Sequence, residues 1–254
     1  VLGEVWVEQG EQTEPSLLIA RREEYPDDLA FNKTTMGIDV QKDRLEIEHV
    51  GWQDGEESWS LDYIVLAGDT AQPTVWDELA ELISDLAPDG VAIDSGYNTS
   101  LVYDFVSRRK FAFAVKGVSG FGLPLIEDIQ KRVKRLARRR KKSVGPEPIG
   151  VDQGKALVYS YLNITTPGPG YCHFPADIAY DDEWAAQLCS ERLVTRYTKG
   201  RPKQEWVPTR ARNEALDCRV YALSALRLLG TFQRKPRRIK QKPEEIEHIA
   251  AVVD

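Results

Sequence analysis

The hydrophobic pattern becomes regular at Thr34. TTMGIDV is a short apolar run, and after the polar QKD the stretch RLEIEHVGW alternates, with Leu45, Ile47 and His49 on one face. Period-two alternation of this kind predicts a strand, a turn and a second strand. Gln53-Asp54-Gly55 reads as the next turn, and SWSLDYIVLAG, rich in aromatic and branched residues, as a third strand. The economical arrangement is an antiparallel meander. A helix follows, capped by Thr74 and carrying Val75, Leu79, Leu82, Ile83 and Leu86 at helical spacing until Pro88 and Gly90 stop it. VAIDSG is a short buried strand, residues Leu101, Val102, Phe105 and Val106 mark a second amphipathic helix, and FAFAVKG is another strand. Strands separated by helices pair in parallel, so the expected class is α/β: a mixed central sheet, meander first, flanked by helices.

Outside this region the pattern weakens. Residues 1–33 mix short apolar patches with charge, and Tyr25-Pro26-Asp27-Asp28 is a break, so the segment is expected to be a linker. Residues 34–230 form the expected domain, with 118–152 as a basic, flexible insertion and 231–254 as a tail. Helices are expected at KALVYSYL, at DDEWAAQLCSERL and from about 211 to 229, where Leu216, Val220, Leu223 and Leu226 face the core.

At 254 residues and 42% hydrophobic, the chain can bury one substantial core. It opens on Val1 and its only methionine is Met36, so it is expected to be an excerpt of a longer polypeptide. Three cysteines without CxxC spacing argue against a disulfide framework or a zinc ribbon and fit a reducing setting. No apolar run approaches the roughly 20 residues that a membrane span needs, and the start lacks signal-peptide order. The net charge of −6 speaks against nucleic acid, but the charge is unevenly spread. Acids crowd the ends, while residues 131–142 read KRVKRLARRRKK, placing Lys131, Arg132, Lys134, Arg135, Arg138, Arg139, Arg140, Lys141 and Lys142 in one basic run.

Three aspartates each interrupt an apolar segment: Asp39 in MGIDV, Asp94 in VAIDSG and Asp217 in NEALDCRVYAL. A buried ionised carboxylate is costly, and acids at the ends of adjacent inner strands are commonly compensated by a cation; oxygen-only ligands suit magnesium or manganese. The alternative for each is a carboxylate held by backbone N–H groups or an arginine. Glu214 lies three residues before Asp217 on the same helical face, which leaves it as a further ligand, an outer support or a surface acid. His173, among the aromatics of YCHFP, reads as a contact to substrate or ligand or, more commonly for a lone histidine beside aromatics, as packed structure.

GIDVQKDRLEIEHVGW, GEESWSLDY, IDSGYNTSLVYDF with AVKG, and RNEALDCRVYALSAL, in that order, resemble the terminase large subunits of tailed phages, in the group typified by the lambda packaging enzyme. The resemblance covers about residues 34–229, with a weaker echo in LGEVW. It implies a C-terminal nuclease domain of RNase H-like fold that follows an ATPase domain of the same polypeptide. It also implies two divalent ions, Mg or Mn, roughly 3.5–4 Å apart. Asp39 would bridge them, and Asp94 and Asp217 would each favour one. Lys116, closing its strand, is then either a fixed cation for the scissile phosphate or a solvated lysine.

The implied substrate is concatemeric double-stranded DNA, and the basic run reads either as a clamp on its backbone or as a solvated loop. Site choice would be left to the small terminase subunit, and the implied setting is the portal protein and the bacterial host cytoplasm. Two rival readings are another RNase H-like nuclease, such as a junction resolvase or integrase, and a metal-free module that docks on DNA or the portal.

Overall fold

The alternation read from Thr34 onward becomes the centre of a sheet. In the computed structural model, which describes residues 7–9, 13–128, 131–132, 134, 145–198, 201–230 and 237–238, the first elements are β1 (Val7–Gln9), α1 (Pro15–Ala20), β2 (Arg22–Glu23) and β3 (Ala30–Phe31). The meander follows as β4 (Lys33–Val40), β5 (Arg44–Trp52) and β6 (Ser58–Ala67). Then come α2 (Pro73–Leu86), β7 (Gly90–Asp94), α3 (Thr99–Ser107), β8 (Ala112–Val118), β9 (Glu147–Gly150) and α4 (Val151–Leu162). The last elements are β10 (Cys172–Pro175), α5 (Asp182–Leu188), β11 (Glu191–Thr198), β12 (Arg201–Pro208), α6 (Glu214–Leu229) and β13 (Arg237–Arg238).

Eight strands form one mixed sheet in the order β2-β10-β6-β5-β4-β7-β8-β9. The β4–β5–β6 pairs are antiparallel, and β4–β7–β8–β9 run parallel, as the βαβ pattern requires. Side-chain alternation divides the core in two. Met36, Ile38, Val40, Leu45, Ile47, Val91 and Ile93 pack with Val75, Trp76 and Leu79 of α2 and Val102, Phe105 and Val106 of α3. Val50, Trp52, Ala92 and Val115 pack on the opposite side with α6, α4 and α5. The result is a three-layer α/β/α arrangement. Among the described residues, no helix is long and apolar enough to cross a membrane.

Several expectations differ in detail. Thr74 lies inside α2, whose cap position is Gln72. The helix expected over DDEWAAQLCSERL stops at Leu188, because ERLVTRYT pairs in register with Arg201–Pro208 as an antiparallel hairpin. The last helix begins at Glu214. The segment expected as a linker is built into the body from Thr13: Leu18 is fully buried, Arg21 donates to the carbonyls of Leu162 and Ile164, and β2 extends the sheet beside β10. Within 118–152, Leu125 joins the core and β9 forms the sheet edge, so those parts of the stretch are packed, while Val118, Phe121 and Leu123 are exposed.

The polar face of β5 is not solvated. Glu46 and Glu48 have no exposed surface because α6 covers them. Glu46 accepts from Arg44 Nε (2.6 Å), Arg212 Nη2 (2.6 Å) and the Tyr63 hydroxyl (2.5 Å). Glu48 accepts from Arg219 Nε (3.0 Å) and Nη2 (2.5 Å), so Glu46 is held by two guanidinium groups and Glu48 by a third.

Candidate active site

In β4, Met36, Ile38 and Val40 point to α2 and α3, which turns Thr35, Gly37 and Asp39 toward α6. Gly37 permits the helix to lie directly on the strand: a Cβ there would stand 1.9 Å from the Cys218 carbonyl oxygen and 2.4 Å from the Ala222 nitrogen. Thr35 Oγ1 donates to the Ala222 carbonyl at 2.9 Å and fastens the next turn. Asp217, in the first turn of α6, is thereby brought beside Asp39. Ile38 pairs with Ile93 in the parallel ladder, so Asp39 and Asp94 are the next residues at the C-terminal ends of neighbouring strands. Ala92 packs on the α6 side, and Asp94, two residues on, shares that face.

The three carboxyl groups feel one another. Asp39 is 6% exposed and accepts from Gln41 Nε2 at 2.5 Å. Burial, reinforced by the negative charges of Asp217, Asp94 and Glu214, pushes its pKa up to about 7. Burial likewise raises Asp217 to about 6, with Lys155 pulling down and Glu191, Asp94 and Glu214 pushing up. Asp94 is raised by burial against the opposing pull of backbone N–H groups, among them that of Gly96 at 3.0 Å, and of Lys116. Among the described residues, no three His, Cys, Asp or Glu side chains close into a ready-made metal-ligand group. The acids thus share a poorly solvated field without converging on a single point.

Oxygen-only donors that repel each other and, among the described residues, have no arginine partner suit a hard divalent cation, and in that chemical sense the residues fit Mg or Mn. Glu214 is differently placed. It is ion-paired with Arg44 and lies 3.3 Å from Arg212 Nε, which makes it an outer support linked through Arg44 to Glu46. Lys116 is exposed, and alternation along β8 sets it on the sheet face opposite Asp94, although its charge favours the ionised aspartate.

Three residues at this site carry no strong signal in the sequence. Lys155 of α4 donates to Glu191 Oε1 at 2.6 Å and lies 4.0 Å from Asp217 Oδ1. Asn213, just before α6, donates through Nδ2 to Asp217 Oδ2 (2.9 Å) and Glu191 Oε1 (3.2 Å). A polar residue before a helix suggests a cap, which is the one hint that Asn213 offers. Glu191, expected within a helix, begins a strand instead.

Of the basic run, Lys131 and Lys134 are exposed. Arg132 is engaged with Glu147 (3.2 Å) and the Leu228 carbonyl (3.4 Å). Arg135, Arg138, Arg139, Arg140, Lys141 and Lys142 lie outside the described residues. His173 stacks on Trp59 at 4.3 Å between centroids and contacts Glu23 and Glu57, so it is packed structure. A groove of about 670 Å³ between residues 119–121 and β12 is lined by Asp152 and Trp206 but by none of the three aspartates, and shallow concavity here does not mark the acid cluster.

A family described as terminase large subunit gpA, endonuclease domain, matches residues 1–237. The chain is 33% identical to the terminase large subunit of Escherichia phage lambda, over 89% of this chain and 37% of that protein. It is 30% identical to the terminase large subunit of Enterobacteria phage P21, over 89% of this chain and 38% of that protein. It therefore spans little more than a third of these relatives' length. Among solved structures it is similar to a mutant nuclease domain of the large terminase subunit gp2 of bacterial virus Sf6, bound to manganese and beta-thujaplicinol. Identity there is 12% and the TM-score 0.52, over 84% of this chain and 96% of that one. That likeness is one of fold, and the fold is RNase H-like.

Proposed function

The chain belongs to the family of terminase large subunit gpA endonuclease domains, and from that membership we propose that it cuts concatemeric double-stranded DNA during genome packaging, using two Mg or Mn ions held by Asp39, Asp94 and Asp217. The observation that carries the metal reading is the cluster itself: three carboxylates on one face of the sheet, each raised in pKa by burial and two of them by their acidic neighbours' charge. Bound ions would supply Lewis acidity at the phosphate and an activated water. The protein's own part is orientation. Gln41 fixes the Asp39 carboxylate, the Gly96 amide fixes Asp94, and Asn213 fixes Asp217. Asp39 feels the charge of both other aspartates, which suits a bridging ligand. Lys116, which faces away from Asp94 across the sheet, contributes in this reading only a charge that favours the ionised aspartate and not a contact with the phosphate.

The reading extends to the whole protein: an ATPase domain on the same polypeptide, a small terminase subunit that selects the site, a portal protein that receives the DNA, and the bacterial host cytoplasm as the setting. Supercoiled plasmid incubated with the protein and manganese is expected to yield nicked and linear forms, and none when EDTA is present. Equal cutting in EDTA would overturn the metal mechanism.

The basic run is proposed to grip the DNA backbone, on the strength of the exposed Lys131 and Lys134. Replacing both with glutamine is expected to weaken duplex binding for all sequences. The slope of log affinity against log salt should become shallower by about one for each phosphate that is no longer neutralised. Unchanged affinity at low salt removes that assignment.

A further inference from the structure

The Asp217 side of the acid cluster holds a cation of the protein's own. Lys155 projects from α4 with its side chain 13% exposed, and its ammonium group sits 2.6 Å from Glu191 Oε1 and 4.0 Å from Asp217 Oδ1. Glu191 is 5% exposed and is anchored twice: its backbone N–H donates to the Tyr159 hydroxyl at 3.0 Å, and Asn213 Nδ2 reaches its Oε1 at 3.2 Å. Asn213 also donates to Asp217, so one amide ties the two carboxylates together and one ammonium faces both. Three separate elements, α4, the start of β11 and the residue preceding α6, converge there. The neighbouring guanidinium groups are committed elsewhere, Arg44 and Arg212 to Glu46 and Glu214.

An ammonium has three donors, and one of those on Lys155 is used on Glu191. At 4.0 Å from Asp217 the interaction is one of charge and not of hydrogen bonding, the kind that a second cation displaces without breaking a fixed geometry. We propose that Lys155 is the cluster's internal counter-charge, a positioning residue that holds Asp217 and Glu191 together in the metal-free protein and competes with the divalent ion on the Asp217 side. This rests on the metal-dependent reading given above. In its terms, metal binding draws Asp217 away from the field of Lys155, and the Lys155–Glu191 pair remains as the wall of the site.

The test is manganese binding by calorimetry together with thermal unfolding, with and without manganese, on the parent, Lys155→Met and Lys155→Arg. The methionine variant keeps the length and removes the charge. It is expected to unfold at a lower temperature than the parent without metal, yet to bind manganese about tenfold more tightly, because a unit charge a few ångströms from the ligand has been removed. The arginine variant, which keeps the charge, should retain the parent's affinity. A merely structural lysine would lower stability with and without manganese alike and leave affinity unchanged; that result overturns the proposal. Should the methionine variant fail to fold, Lys155→Gln, which keeps a hydrogen-bond donor for Glu191 and removes the charge, provides the same discrimination. It should bind manganese more tightly than the parent, whereas unchanged or weaker binding overturns the competition. Absence of manganese binding in the parent would sink the metal-dependent reading itself, and binding with equal affinity in parent and Lys155→Met sinks only the role of Lys155.

Discussion

Asp39→Asn is expected to abolish plasmid cutting while making the metal-free protein more stable above neutral pH. The two effects have one origin. Asp39 is almost wholly buried, faces two other acids and has a neutral amide, Gln41, as its hydrogen-bond partner. Its pKa is raised from 3.8 to about 7, so between those values the folded protein keeps a proton that the unfolded chain has released. Stability from this group is accordingly lost as pH rises from about 4 to about 7, and it is not regained above that.

At one pKa unit to roughly 1.4 kcal/mol, the asparagine variant should gain on the order of 2–4 kcal/mol over the parent at pH 8 and nothing near pH 4. Manganese should stabilise the parent at pH 8 and leave the variant unmoved. Activity should fall at least about a hundredfold, the loss that removing even an outer partner of a metal ligand can produce. Denaturant titrations at the two pH values and a plasmid assay check both halves. A variant that cuts at the parental rate, or that is less stable than the parent at pH 8, would make Asp39 an ordinary structural carboxylate.

Arg219→Met should cost about 3–5 kcal/mol, because it strands Glu48 in the interior. Arg219 is 3% exposed and Glu48 fully buried; the guanidinium reaches both carboxylate oxygens and also contacts the Ser60 and Ser58 hydroxyls. Burial already raises the Glu48 pKa against the pull of Arg219, and without the arginine that pull is gone. The folded variant would hold a proton that the unfolded chain loses near the ordinary value of 4.5. Its deficit should therefore be smallest in acid and grow as pH rises. Replacing Glu48 and Arg219 together with methionine should recover most of the loss, since a buried pair exchanged for apolar side chains of similar volume is often neutral. Unfolding at pH 5 and pH 8 decides the matter. A single variant within about 1 kcal/mol of the parent would show that the pair is solvated well enough to survive alone.

The positions of Asp39 and Asp94 are legible in the sequence because each breaks an apolar run, and a strand pattern places each at a strand's end. Asp217 is visible as an acid among the apolar residues of a helix that also carries Glu214, Arg219 and Arg227. Glu46 and Glu48 are not legible as buried, since alternation in β5 looks the same whether its polar face meets water or α6. The β11–β12 hairpin is hidden because DDEWAAQLC leads into ERL at helical spacing, and it is the cross-strand partner at 201–208 that makes a strand of it.

What the chain's own text determined, then, was local: which segments alternate with period two, which recur at helical spacing, and which acids sit among apolar neighbours. Those follow from backbone geometry and the cost of hydrating or burying each side chain, and both act over a few residues. Tertiary structure alone decided that Gly37 lets α6 rest on β4, that Lys155, Glu191 and Asn213 meet at Asp217, and that Glu214 is taken up by arginines. Such encounters join residues far apart in sequence, and they depend on helix placement over the sheet, a property that no short stretch of chain contains.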